Sequence, residues 1–142
     1  MSPRVRELRI SYAPKSGPLP RVGTPADAVA LLRARLEQEP VEVVVVLLLN
    51  TKHRVIALHE VGRGTLDTCL VHPRDVFKCA VLANAAGVII AHNHPSGDPS
   101  PSPDDIALHA RLPTAGTLLG IELLDFLIIG DNSHVSFLES GR

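Results

Sequence analysis

Residues 92 to 105 read HNHPSGDPSPSPDD, with His92 and His94 one residue apart and Asp105 eleven positions after the second histidine. On an extended chain successive side chains point to opposite faces. The two imidazoles therefore leave the backbone on the same side and can converge on one ion. Zinc accepts neutral imidazole nitrogens and carboxylate oxygens at about 2.0–2.2 Å, usually tetrahedrally. Two histidines and a carboxylate fill three positions and leave the fourth to water, as a catalytic site requires. Asp105 can supply the carboxylate; Asp98 and Asp104 are its rivals, being near and acidic. The stretch from Ser102 to Asp105 also has the S-x-x-D pattern of a capping box, in which Asp105 serves a helix start. His-x-His alone is also often a pair of polar residues at a strand end. Spacing by itself leaves these readings open.

The elements that must position these residues can be read from pattern. GVIIAHNH at 87–94 is an apolar strand that delivers the histidines at its C-terminal end. PSGDPSPSP can be neither a helix nor a central strand, so it loops back. Ser102-Pro103 then opens a helix, with Pro113 expected to end or kink it near Leu112. Upstream, VEVVVVLLLN at 41–50 reads as a strand buried on both faces. HRVIALHEV returns beside it, making 41–61 a hairpin. Thr24-Pro25 begins a helix with inner positions Ala28, Leu31, Leu32 and Leu36, which stops before Pro40. Pro73 begins another, with Val76, Cys79, Ala80 and Leu82 inside and Gly87 marking its end. GRGTLDTCLV between them is a connection with a short strand at most. IELLDFLIIG and HVSFLE close the chain as two strands around Gly130-Asp131-Asn132. RELRISY is a candidate edge strand, followed by a Pro/Gly linker. The order, one helix, a hairpin, helix, strand, helix and two strands, specifies one mixed sheet with helices packed on it.

The 142 residues suit one domain, with an arm or linker over 1–23 and the domain proper over 24–142. The chain is 45% hydrophobic but only 3% aromatic, so its core is aliphatic. The net charge of −1 gives no overall basic footprint for nucleic acid. Seven basic residues against four acidic ones in the first forty read as a solvated face, since no aromatics interleave them to stack bases. Cys69 and Cys79 fit no zinc-ribbon spacing and read as two reduced, partly buried thiols. No secretory h-region is visible and VVVVLLL is too short to span a bilayer, which fits a cytoplasmic protein. His53, His59, His72, His109 and His134 have no partner at ligand spacing and read as surface or loop residues.

The series His92-x-His94, seven residues, Ser102, two residues, Asp105 resembles the signature of the JAMM (MPN+) metalloproteases, interval for interval. The longer HNHPSGDPSPSPDD resembles the RadC branch of that family, as do LVHPRDVFK at 70–78 and LLLNTKHRVI at 47–56. The likeness covers about residues 24–138. The N-terminal helix-hairpin-helix region of full-length RadC proteins has no counterpart here, so a stand-alone catalytic-type domain is expected. The resemblance implies an α/β fold of JAB/MPN type: a curved mixed sheet flanked by helices, layered like the cytidine deaminases. It implies one zinc per chain, held by His92, His94 and Asp105. It calls for an upstream glutamate on or beside the first buried strand. Glu42 matches that place, with Glu37, Glu39 and Glu60 as rivals. Glu42 would accept a proton from the attacking water and pass it to the leaving amine. Ser102 would donate a hydrogen bond to the developing oxyanion.

The function implied is zinc-dependent hydrolysis of a peptide or isopeptide bond, with a protein or peptide as substrate. RadC relatives tend to carry Asp-His in the penultimate strand, where this chain has Asp125-Phe126, so any polar contribution of that histidine is lost. The RadC name also implies an alternative, a non-catalytic accessory in DNA repair or recombination. Charge does not support direct nucleic-acid binding by such a protein. A zinc hydrolase of nucleic acid is a further rival, but the His-x-Glu and Pro-Cys-x-x-Cys elements of zinc deaminases are missing.

Overall fold

The computed structural model describes residues 1–64 and 71–142. The elements run α1 (Pro25–Leu36), β1 (Val43–Leu49), β2 (Val55–Arg63), α2 (Pro73–Leu82), β3 (Gly87–Asn93), α3 (Pro103–Leu119), β4 (Glu122–Gly130) and β5 (Ser133–Ser136). The five strands form one mixed sheet in the order β2-β1-β3-β4-β5. β1 is antiparallel to β2 and to β3, β3 is parallel to β4, and β5 returns antiparallel to β4. The expected hairpin, order of elements and mixed sheet are all present. Cys69 and the possible short strand after β2 lie outside the described residues, apart from the ends of that connection; Cys79 is half-buried.

β1 is apolar throughout, and β3 is apolar up to Ala91, because both faces are covered. Val44, Val46 and Leu48 of β1, with Val88 and Ile90 of β3 and Phe126 and Ile128 of β4, pack against Val76, Phe77 and Ala80 of α2 and Leu108 and Leu112 of α3. Val43, Val45, Leu47 and Leu49 face the other way with Ile89, Ala91, Leu127 and Ile129, and α1 covers them through Ala28, Val29, Leu32 and Leu36. The sheet is thus the middle of three layers, with α1 on one side and α2 and α3 on the other. Among the described residues no helix is long and apolar enough to cross a membrane.

Each helix opens on a capping box with proline in its first turn: Thr24 with Asp27, His72 with Asp75, and Ser102 with Asp105. His72 is a cap rather than a plain surface residue, and its Nδ1 accepts the Arg74 N–H at 3.1 Å. Several details depart from the pattern reading. Leu31 and Leu82 are exposed, and Val29 and Phe77 take inner positions instead. The stop of α2 is Asn84, not Gly87. Asn84 has φ 54°, and the amides of Asn84 and Ala85 bond back to the carbonyls of Val81 and Ala80 in a Schellman arrangement. Gly87 begins β3. α3 does not end near Leu112; it runs through Pro113 to Leu119, its inner face held by Leu108, Leu112 and Gly116, and stops at Gly120 with φ 72°.

RELRISY forms no strand, and residues 1–21 are exposed. A strand needs a neighbour, and Pro14, Pro18 and Pro20 lack the N–H groups a ladder would use. Contact with the sheet begins where Arg21 bridges Arg54, with the Val55 N–H donating to the Pro20 carbonyl at 2.8 Å.

Candidate metal centre

The pairing of β1 with β3 sets Val44 opposite His92. Glu42, two residues before Val44, therefore lies on the same face as His92 although fifty positions separate them in sequence. His94 follows the end of β3, its backbone N–H donating to the Ile129 carbonyl at 3.0 Å. The loop after it returns the first turn of α3 to the strand end. Glu42, His92, His94 and Asp105 consequently converge, each with one potential ligand atom within 4.8 Å of all the others.

The distances define a compact cluster. His92 Nδ1 is 2.8 Å from Glu42 Oε1, and His92 Nε2 is 3.0 Å from Asp105 Oδ1. His94 Nε2 is 3.0 Å from Asp105 Oδ2 and 3.6 Å from Glu42 Oε1. His92 and Asp105 are buried, and Glu42 and His94 keep an opening to solvent, their side chains 11% and 13% exposed. The other nitrogen of His94, Nδ1, lies 2.8 Å from the Asp98 carbonyl oxygen. That contact suits an Nδ1–H donor and leaves the Nε2 lone pair facing the cluster, the outer support typical of a ligating histidine.

Three buried atoms of the cluster, His92 Nδ1, His92 Nε2 and Asp105 Oδ1, have no hydrogen-bond partner among the described residues despite their short distances to one another and to Glu42. Buried polar atoms are rarely left so. Ligand bonds of about 2.0–2.2 Å at tetrahedral angles set neighbouring donor atoms roughly 3.3–3.6 Å apart, close to the spacings here. The imidazole and carboxylate donors gathered here suit a divalent metal ion. These residues fit a metal ion.

Asp105 is both a cap and a member of the cluster, so the two readings of the S-x-x-D pattern do not compete. Its Oδ2 accepts the Ser102 N–H at 2.8 Å and its own N–H donates to Ser102 Oγ at 3.1 Å, while Oδ1 faces His92. The rivals are occupied elsewhere. Asp104 is exposed, and Asp98 accepts from the Ser100 N–H and hydroxyl. Glu39 and Glu60 each pair with Arg63 at 2.8 Å, and Glu37 lies 3.9 Å from Arg33. Ser102 borders the cluster through its cap on Asp105.

Electrostatics follow from this packing. Burial pushes the His92 imidazole down, but the adjoining Asp105 and Glu42 carboxylates reverse this and carry its pKa up to about 9. His94 is raised as well, chiefly by Asp105. Burial pushes the Asp105 carboxyl up, and the two imidazoles outweigh it, holding the group well below the usual carboxylate range. Without a metal, protons on the histidines balance the carboxylates.

Phe126 stands edge-on to His92, ring centroids 5.5 Å apart, and forms an apolar wall behind the cluster. Its polar neighbour Asp125 turns away, accepting from the Ser136 hydroxyl at 2.6 Å and the Leu138 N–H at 3.1 Å. His109 is not the free surface histidine its spacing suggested. It packs against Phe126 and Phe137, with centroids 5.7 and 4.7 Å away, and burial lowers its pKa. Asn93, between the two histidines, carries no local signal in the sequence; its amide bonds across to the segment carrying Glu42. An apolar cavity of about 110 Å³ beside Leu49 and Ile89 lies at the other end of the strands from this chemistry.

A mixed sheet flanked by three helices, with a His–His–Asp–Glu cluster at one end of its central strands, defines an α/β domain of JAB/MPN type. The model of the RadC-like JAB domain matches residues 22–142, and the chain belongs to that family. Similar proteins include a UPF0758 protein of Clostridium beijerinckii, 45% identical over 121 residues, or 85% of this chain and 53% of the relative. A UPF0758 protein of Clostridium perfringens is 47% identical over 119 residues, covering 84% and 52%. One of Desulforudis audaxviator is 48% identical over 122 residues, covering 86% and 53%. The chain spans about half the length of these relatives.

Proposed function

We propose that the domain is a zinc-dependent hydrolase that cleaves a peptide or isopeptide bond in a protein or peptide substrate. The observation that carries this reading is the convergence of His92, His94, Asp105 and Glu42, with three buried atoms lacking hydrogen bonds. Its membership of the JAB family supports the same reading.

His92, His94 and Asp105 would hold the metal. When bound, zinc supplies Lewis acidity toward a carbonyl oxygen and lowers the pKa of coordinated water to about 7. Glu42 sits at the solvent-facing side of the cluster, with its Oε1 2.8 Å from His92 Nδ1. Its carboxylate accepts a proton as the water oxygen bonds to the carbonyl carbon. It returns that proton to the nitrogen as the C–N bond breaks, leaving a carboxylic acid and an amine, which part as carboxylate and ammonium. Ser102 Oγ accepts the Asp105 N–H with a lone pair, so its own hydrogen stays free to donate to the carbonyl oxygen as negative charge builds there. Phe126 and the buried face of His92 keep bulk water from the rear of the site.

The test is metal content together with hydrolysis of a fluorogenic peptide library and an isopeptide-linked panel, with and without a chelator. Close to one zinc per chain and chelator-sensitive cleavage are expected. A folded protein that takes up no zinc from stoichiometric solution would refute the reading.

A further inference from the structure

The geometry points to Asn93 as a positioning residue that fixes Glu42 beside the histidine pair. The inference rests on the hydrolytic reading above for the role of Glu42, but its bonds stand on their own.

Asn93 is the last residue of β3 and is buried. Its side chain leaves the sheet on the face opposite to His92, so it cannot join the cluster. It crosses instead to the chain entering β1. Asn93 Oδ1 accepts the Val43 N–H at 2.8 Å, and Nδ2 donates to the Val41 carbonyl at 3.0 Å, with the Glu39 carbonyl at 3.5 Å. The N–H and the carbonyls it meets fix which way the amide faces.

These two bonds bear on one residue. The Val41 carbonyl belongs to the peptide unit before the Glu42 Cα, and the Val43 N–H to the unit after it. Holding both units fixes φ and ψ of Glu42, and with them the direction of its side chain. The backbone ladder between β1 and β3 stops at Val44 opposite His92. The Asn93 amide extends it by one step, just where the glutamate must be held. A primary amide has a donor and an acceptor side by side on one plane, as a peptide group does. Alanine offers neither; an ionised aspartate offers only acceptors and faces the Val41 carbonyl with like charge. A single motif thus does two jobs from alternate faces of one strand. His92 and His94 point to the metal side, and Asn93 straps down the glutamate from behind.

The experiment compares the wild-type chain, Asn93→Ala, Glu42→Gln and the double variant. Asn93→Ala should keep about one zinc per chain, because it removes no ligand. The Val43 amide should exchange with solvent about 5- to 150-fold faster, the worth of one buried donor left unsatisfied, while Val45 and Leu47 are unchanged. In a crystal structure of the variant Glu42 should no longer contact His92 Nδ1. On the peptide cleaved by wild type, Asn93→Ala should lower kcat with KM little changed. Adding it to Glu42→Gln should cost nothing further, since it acts only through that glutamate. If Asn93→Ala does not fold, Asn93→Asp keeps the Val43 bond, breaks the Val41 bond, and should show the same kcat loss and the same silence in the Glu42→Gln background. Additive losses, an unchanged Val43 amide in Asn93→Ala, or zinc lost from that variant would each overturn the assignment. If no peptide is cleaved, the hydrolytic reading fails by itself, and exchange, zinc content and the position of Glu42 still decide the strap.

Discussion

His92 Nε2 and Asp105 Oδ1 lie 3.0 Å apart, both buried, and neither has a hydrogen-bond partner among the described residues. The other oxygen of the same carboxylate accepts the Ser102 N–H at 2.8 Å and lies 3.0 Å from His94 Nε2. One side chain therefore ties the start of α3 to the end of β3, and it does so at the cluster.

Asp105→Ala should act on both jobs. The capping loss is about 0.5–2 kcal/mol and appears with or without metal. Removal of a ligand should also abolish the zinc-dependent gain in thermal stability and lower zinc content well below one per chain. Thermal melts with zinc and with chelator separate the two effects. Equal destabilisation in both, with zinc content intact, would leave Asp105 as a cap alone.

Metal-free stability and the stabilisation added by zinc should respond to pH in opposite directions. The folded chain raises the His92 pKa to about 9. Its contribution to metal-free stability is therefore full below the unfolded value, about 6.5, and is lost as pH rises through about 9. Asp105 is depressed, so its contribution is present above the unfolded value, about 3.9, and is lost as pH falls. Metal-free stability should be greatest between these unfolded values and decline toward alkaline pH. Zinc needs the imidazoles neutral, so the gap between melts with and without zinc should widen from about pH 6 to about pH 9. A gap that stays flat over that interval would mean that these histidines do not bind the metal.

What could be read from sequence was what local physics fixes. Thr24 and Ser102 are legible as caps because a short oxygen-bearing side chain just before proline accepts from the N–H groups of the first turn. The runs at 43–49 and 87–91 are apolar on both faces because helices cover both. Glu42 is a different matter. Nothing in its own neighbourhood marks it, and family likeness alone singled it out. It reaches the histidines only through the antiparallel register that sets Val44 against His92. Asn93 is unmarked in the sequence for the same reason, since its partners lie about fifty residues away. RELRISY shows the converse failure. Its alternation is strand-like, but no neighbouring edge is presented to it in the fold described.

Glu42→Gln separates the proton acceptor from the ligands. Glutamine keeps the shape and one carbonyl oxygen but cannot take the proton, so cleavage should fall by roughly 10²–10⁴. Zinc content should not change. Glu60→Gln is the control. Glu60 is paired with Arg63 on the surface, away from the cluster, and turnover should remain within a few-fold of wild type. Loss of turnover in Glu60→Gln but not in Glu42→Gln would move the base to β2.

Ser102→Gly tests whether the hydroxyl does more than cap. Ser102 Oγ accepts the Asp105 N–H at 3.1 Å through a lone pair, so capping leaves its hydrogen uncommitted. Glycine is itself tolerated at an N-cap and costs only a few tenths of a kcal/mol relative to serine, whereas alanine costs about 1 kcal/mol. The Ser102 backbone N–H, which donates to Asp105 Oδ2 at 2.8 Å, is retained. The variant should therefore melt close to wild type and bind zinc as before. If the hydroxyl donates to the oxyanion, kcat should still drop about 10²–10³-fold, the usual worth of one such donor. Ser102→Thr restores a hydroxyl on the same carbon and should recover much of the rate. A rate that tracks melting temperature across glycine, alanine and threonine would instead show that Ser102 acts only by holding Asp105 in place.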